Sequence, residues 1–142
     1  MSELSLFLKG NKKERKNGFF PATKSLCDEN GEPLLWEFKP LPTHEAEIIR
    51  DECMIQKLVP GRTDQFEMKL NTRKFMAMVA CACIVNPNLN NAELQDSYGV
   101  KTPEALLQEM IDDPGEYNTF VAYVVNYNGF DDINELREEA KN

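Results

Sequence analysis

The sequence predicts an α+β fold: a small amino-terminal β-hairpin layer of two or three short strands, followed by a helical bundle of about five helices. Three observations predict it. Residues 19–26 and 34–38 flank the turn sequence Asp28-Glu29-Asn30-Gly31-Glu32-Pro33, so strands come first. From Thr43 onward, apolar residues recur at helical spacing between capping and stop signals, so helices follow. Residues 75–85 carry no charge on any face, which marks a central helix surrounded on all sides. Strands and helices segregated along the chain in this way belong to the α+β class.

Taken in order, residues 1–18 begin with an apolar patch (Leu4, Leu6, Phe7, Leu8) and pass into a run holding Lys9, Lys12, Lys13, Arg15 and Lys16. The reading is an apolar plug followed by a mobile, solvated basic loop. The β-hairpin occupies 19–40, where Asn30-Gly31 supplies the positive φ values of a tight reversal. In its second arm Leu34, Trp36 and Phe38 alternate with Leu35, Glu37 and Lys39, so one face is apolar and needs a cover. Pro40-Leu41-Pro42 ends the hairpin, and residues 43–140 are mainly helical.

Thr43 reads as an N-cap, with Glu45 and Glu47 in the first turn, for a helix over about 44–59. That helix buries Ile48, Ile49, Cys53, Ile55 and Leu58 before Pro60-Gly61 stops it. Residues 66–70 alternate well enough for a third short strand, or for an extended lead into the central helix, which Asn71 or Thr72 caps. Asn86-Pro87 ends the central helix, and a short helix over about 91–98 closes at Gly99. Thr102-Pro103-Glu104 combines a capping hydroxyl, proline at the first helical position and an acid in the first turn. Leu106, Leu107, Met110 and Ile111 form that helix's apolar face. Asp113-Pro114-Gly115-Glu116 repeats the start logic and places Glu116 where a capping box wants it. The helix that follows carries Tyr117, Phe120, Val121, Val124 and Val125 on one face and ends at Asn128-Gly129. A last helix over 131–140 has only Ile133 and Leu136 as anchors, so its end frays.

A chain of 142 residues with 42% hydrophobic and 28% charged residues fits a single domain, 1–142. Such a domain buries roughly 68–70% of its unfolded surface, so folding needs no disulfide or metal staple. Charge excludes more. Sixteen Lys+Arg against 24 Asp+Glu give a net of -8, whereas affinity for phosphates requires a cationic face. The imbalance is uneven: residues 1–24 hold six Lys/Arg and two Glu, a net of +4, which leaves −12 for the rest. No stretch approaches the roughly 18 apolar residues of a membrane span, and residues 4–8 are too short for a secretory signal. The expectation is a soluble cytoplasmic protein whose four cysteines are reduced.

No catalytic, cofactor-binding or metal constellation stands out. His44 is the one histidine and sits in a first helical turn, with no serine or cysteine placed beside it by sequence. Cys81 and Cys83 are two apart on a helix and point to nearly opposite sides, so they read as small core residues. There is no Cys-x-x-Cys, His-Glu-x-x-His, Gly-rich phosphate loop or Ca²⁺ loop. The basic run over 9–16 has no aromatic residue for base stacking, and the acidic body repels nucleic acid. The reading is of a protein that is not an enzyme and binds neither nucleic acid nor membrane.

The order of features resembles the XkdN-like tail assembly chaperones of long-tailed phages and phage-derived tail particles. The resemblance runs through Leu4-Ser5-Leu6-Phe7-Leu8, the turn over 28–33, and Trp36-Glu37-Phe38-Lys39-Pro40-Leu41. It continues through Leu94-Gln95-Asp96-Ser97-Tyr98-Gly99, Thr102-Pro103-Glu104, and Pro114-Gly115-Glu116-Tyr117 to Asn128-Gly129-Phe130. It implies a cofactor-free, non-enzymatic assembly factor in the host bacterial cytoplasm. Such proteins hold the tape measure protein soluble, help recruit the tail tube protein, and are absent from the mature virion. Some are also made in a carboxy-extended form by programmed frameshifting.

A holding chaperone must offer apolar surface while staying soluble itself. Residues 104–142, with ten acids against Arg137 and Lys141, suit the second need. Tyr117, Tyr123, Tyr127, Ile133 and Leu136 are the candidate partner-binding residues, set against ordinary packing inside the bundle. Self-association is left open. The alternative function is a structural tail or head–tail connector subunit retained in the particle.

Overall fold

Five helices and five short strands form among residues 3–129, the part of the chain that the computed structural model describes. Strand β1 (Gly18–Pro21) pairs antiparallel with β2 (Leu35–Phe38), Gly18 lying opposite Phe38 and Pro21 opposite Leu35. A Cβ at Gly18 would sit 2.5 Å from the Phe38 ring, so the ring can lie over this position only because it is glycine. The hairpin is where the sequence places it, but its strands are shorter. Its turn is organised by Asp28, whose carboxylate accepts from the backbone N–H groups of Asn30 (2.8 Å) and Glu32 (3.0 Å). Gly31 has a positive φ, 83°, but Asn30, expected to share it, does not.

The predicted apolar face forms in part: Trp36 and Phe38 are fully buried, but Leu34, which precedes the strand, is exposed. Its cover is α5 (Pro114–Tyr127), whose Phe120 ring meets Trp36 edge-on at 5.3 Å. Behind α5 lies α2 (Thr72–Cys83), which also packs against α1 (Thr43–Glu52) and α4 (Pro103–Met110). Thus α2 is central, although two corrections apply. The chargeless stretch over 75–85 is not one helix, because Ile84–Asn86 forms β5 and completes a sheet of order β1-β2-β5. Nor is the helix enclosed on every side: Phe75, Val79, Ala80 and Cys83 are buried, but Ala82 is exposed.

A second correction of type concerns the helix expected over 44–59. Helix α1 stops at Glu52, and Met54–Leu58 is instead strand β3, paired antiparallel with β4 (Phe66–Leu70). Pro60-Gly61 lies in the turn between them, with Gly61 at φ 79°. Ile48 and Leu58, expected in the core, are exposed, while Cys53 is fully buried. Thr43 is the first helical residue and caps nothing; Pro42 occupies the N-cap position.

The caps expected at Asn71 or Thr72, Thr102 and Asp113 form, and Asn91 adds one that the sequence did not mark. Asn71, Asn91, Thr102 and Asp113 accept from the backbone N–H groups of Lys74, Leu94, Ala105 and Glu116, opening α2, α3 (Ala92–Ser97), α4 and α5. The amino-terminal plug does not form. Two 3-10 turns, Glu3–Phe7 and Lys9–Asn11, leave Leu4, Leu6, Phe7 and Leu8 exposed. The helix expected over 131–140 lies outside the described residues.

Candidate functional site

Helix α5 positions three of the candidate partner-binding residues, and the structure divides them. Tyr123 and Tyr127, four apart, share the stripe that faces the hairpin. Tyr123 stacks on Phe20 with ring centroids 4.2 Å apart, and Tyr127 meets Phe38 edge-on at 5.0 Å. The Tyr127 hydroxyl also donates to the Lys16 carbonyl, fastening the end of the basic segment to the body. Both rings keep one exposed edge, and their inner surfaces pack within the chain.

Tyr117 lies elsewhere. It is half-buried and shares a hollow of about 390 Å³ between α2 and α5 with Arg73, Met76, Ala77, Asn118 and Val121. A second hollow, of about 850 Å³, shares Tyr117 and Ala77 and extends past Met78 toward Glu104 and Gln108 of α4. Burial pushes the Tyr117 phenol's pKa up, opposed by its hydrogen bond with Gln108. At neutral pH it is therefore a neutral, amphipathic ring beside a methionine-lined surface. Ile133 and Leu136 lie outside the described residues.

Two further polar residues, which the sequence marked only as helix punctuation, join separate elements. Glu116 does not close a capping box onto its own helix. Its carboxylate accepts from the Thr23 hydroxyl (2.8 Å) and the Lys24 N–H (2.9 Å), tying the start of α5 to the segment after β1. Asn128, just past α5, accepts from the Leu41 N–H (2.6 Å) and donates to the Cys83 sulfur (3.2 Å) and the Val124 carbonyl (2.9 Å). A single side chain thus holds the hairpin exit, α2 and α5 together.

Cys83 is buried and Cys81 half-buried in α2, and desolvation pushes their thiols up to about 11 and about 12. Cys53 is raised as well by burial, and its thiol donates to the Met78 sulfur at 3.5 Å. These thiols stay protonated at neutral pH and behave as core side chains. His44 is exposed in the first turn of α1. Among the described residues, no three His, Cys, Asp or Glu side chains come together as a metal site, and no helix is long and apolar enough to cross a membrane.

The architecture and the comparisons with known proteins agree. The family model of the phage XkdN-like tail assembly chaperone protein matches residues 4–141. The chain belongs to the XkdN-like tail assembly chaperone family. It is 28% identical over 141 residues to XkdN, a protein of the phage-like element PBSX in Bacillus subtilis (strain 168), a match covering 99% of this chain and 94% of that one. It is 30% identical over 141 residues to YqbN of the same organism, covering 99% and 93% respectively. The crystal structure of YqbN has a TM-score of 0.74 against this chain, covering 92% of it and 98% of YqbN at 22% identity, which shows a shared fold. Membership confirms the resemblance read from the hairpin, the caps and their order. This XkdN-like chaperone has the α+β architecture the sequence predicts, with its helical cover built on α5 and α2.

Proposed function

We propose that this XkdN-like chaperone keeps the tape measure protein soluble and helps recruit the tail tube protein around it, without catalysis. It works in the host bacterial cytoplasm and is absent from the mature virion. The observation that carries this reading is the family match across residues 4–141.

The chemistry of the chain supports it in two ways. A net charge of -8 keeps the protein and a bound apolar client dispersed. The adjoining hollows at Tyr117, floored by Met76, Met78 and Val121, offer a concave, adaptable surface suited to an amphipathic helix. Arg73 and Lys74 on one side and Glu104 on another give such a helix charges of both signs to pair with.

Co-expression tests the reading. The tape measure protein is expected in the soluble fraction when this chain is present and in the insoluble fraction when it is absent. An unchanged insoluble fraction would overturn it. Replacing Met76 with Glu is expected to abolish the solubilising effect while the variant itself stays folded by circular dichroism. Mass spectrometry of purified tails is expected to find none of this chain; stoichiometric retention would favour the structural-subunit reading instead.

A further inference from the structure

Three asparagines are followed directly by glycine: Asn17-Gly18, Asn30-Gly31 and Asn128-Gly129. In such a pair the glycine's backbone nitrogen can attack Cγ of the preceding side chain, because no Cβ crowds its approach. The attack needs the side-chain carbonyl carbon within near-attack distance of that nitrogen, so an amide already held elsewhere by hydrogen bonds is withheld from it. The sequence does not rank the three pairs. The structure does.

Two of the pairs are held. Asn17 donates from Nδ2 to the Glu37 carboxylate at 2.9 Å, and Gly18 after it begins β1 opposite Phe38, whose ring lies over it. Asn128 accepts from the Leu41 N–H at 2.6 Å and donates to the Cys83 sulfur at 3.2 Å and the Val124 carbonyl at 2.9 Å. Asn30 differs. It and Gly31 are exposed at the tip of the first hairpin's turn, and among the described residues its side-chain amide makes no hydrogen bond. The attacking nitrogen is restrained only by the turn, where the Gly31 N–H donates to the Asp28 carbonyl at 3.1 Å. A single exposed bond at a loop tip belongs to the part of a fold that opens most readily.

We propose that Asn30 is the site of spontaneous deamidation in this chain. The Gly31 nitrogen gives its proton to hydroxide and bonds to Cγ of Asn30, the Cγ–Nδ2 bond breaks, and the departing nitrogen takes up a proton and leaves as ammonia. Water then adds to either carbonyl of the cyclic imide and opens the ring, leaving aspartate or isoaspartate at position 30. Isoaspartate routes the backbone through Cγ and lengthens it by one methylene, which moves the Gly31 N–H away from the Asp28 carbonyl. Either product adds a negative charge to a turn that already holds Asp28, Glu29 and Glu32. Those carboxylates oppose loss of the Gly31 proton, whereas Arg15 and Lys16 favour it at Gly18, so the choice of Asn30 rests on access and not on charge. The inference does not depend on the tape measure reading.

Peptide mapping by mass spectrometry tests it, on the full chain held for days in warm, mildly alkaline buffer. Each event raises a peptide's mass by the difference between water and ammonia, and the peptide identifies the position. In the folded chain, conversion at position 30 is expected to run at least about tenfold faster than at 17 or 128, whose charge-assisted or multiple bonds must open first. In urea that unfolds the chain this protection is lost, and the three positions are expected to convert at similar rates. A folded chain in which position 17 or 128 converts first, or in which all three convert alike, would overturn the proposal. So would a folded chain that keeps Asn30 intact, or a preference for position 30 that persists unchanged in urea, since the fold would then not be its cause.

Discussion

The β1–β2 hairpin and the β3–β4 hairpin are built from the same kind of sequence, and among the described residues only the first is covered. In the first, Trp36 and Phe38 alternate with Leu35 and Glu37, and α5 lays Phe120, Tyr123 and Tyr127 across them. In the second, Phe66, Met68 and Leu70 alternate with Glu67 and Lys69, but the core reaches only as far as Leu70. An alternating apolar face therefore states which side chains want burial, and the rest of the fold decides which obtain it. The covered hairpin is further tied by Glu116 and Asn128, whereas the ion pair between Lys69 and Glu67 at 3.4 Å lies within the open one. One hairpin is thus fixed by contacts with distant segments, while the other leaves apolar side chains exposed.

High pH should break the comparison hardest. The folded state holds the Cys81 and Cys83 protons more tightly than the unfolded chain, whose thiols titrate near 9.0. Stability is then complete below about pH 9 and falls as the pH rises toward about 12, since unfolding releases those protons. Each tenfold change in proton affinity is worth about 1.4 kcal/mol. Urea unfolding across this range is expected to show the fall, and the Cys81→Ala, Cys83→Ala double variant to flatten it.

Next in size is Phe120→Ala, which removes the ring that touches Phe20, Trp36 and Phe38 together. A loss of about 3–5 kcal/mol is expected from urea denaturation. Glu116→Ala removes both acceptors that join α5 to Thr23 and Lys24, and a loss of about 1–3 kcal/mol is expected, because Thr23 is buried. At the other extreme, Phe66→Ser on the open face is expected to change monomer stability by less than about 0.5 kcal/mol. A loss as large as that of Phe120→Ala would show that the open face is buried in the protein as it exists in solution.

Much of the fold was legible because its signals are local. Caps at Thr102 and Asp113 need only the next three residues, and each forms. The turn at Asp28 and Gly31 is equally local. Residues 54–58 and 84–86 misled because their strand character is conferred by distant partners, β4 and β2. Met54, Ile55 and Leu58 fit a helical stripe as readily as a strand, and Ile84-Val85 extends the apolar pattern of α2 without a break. Of the candidate site, Tyr117 could be placed on a helix face from its spacing. That Tyr123 and Tyr127 pack on Phe20 and Phe38 could not, since nothing in the spacing of α5 says which neighbour lies beside it.

By itself, then, the sequence determined the α+β class, the positions of the caps and turns, the net charge and the family, because each rests on residue identity and short spacings. Only the tertiary structure decided that the chargeless stretch splits into a helix and an edge strand, and that Glu116 and Asn128 bridge elements. It also decided that one apolar hairpin face is covered while the other stays open. Those outcomes depend on contacts between segments far apart in the chain, which local periodicity does not encode.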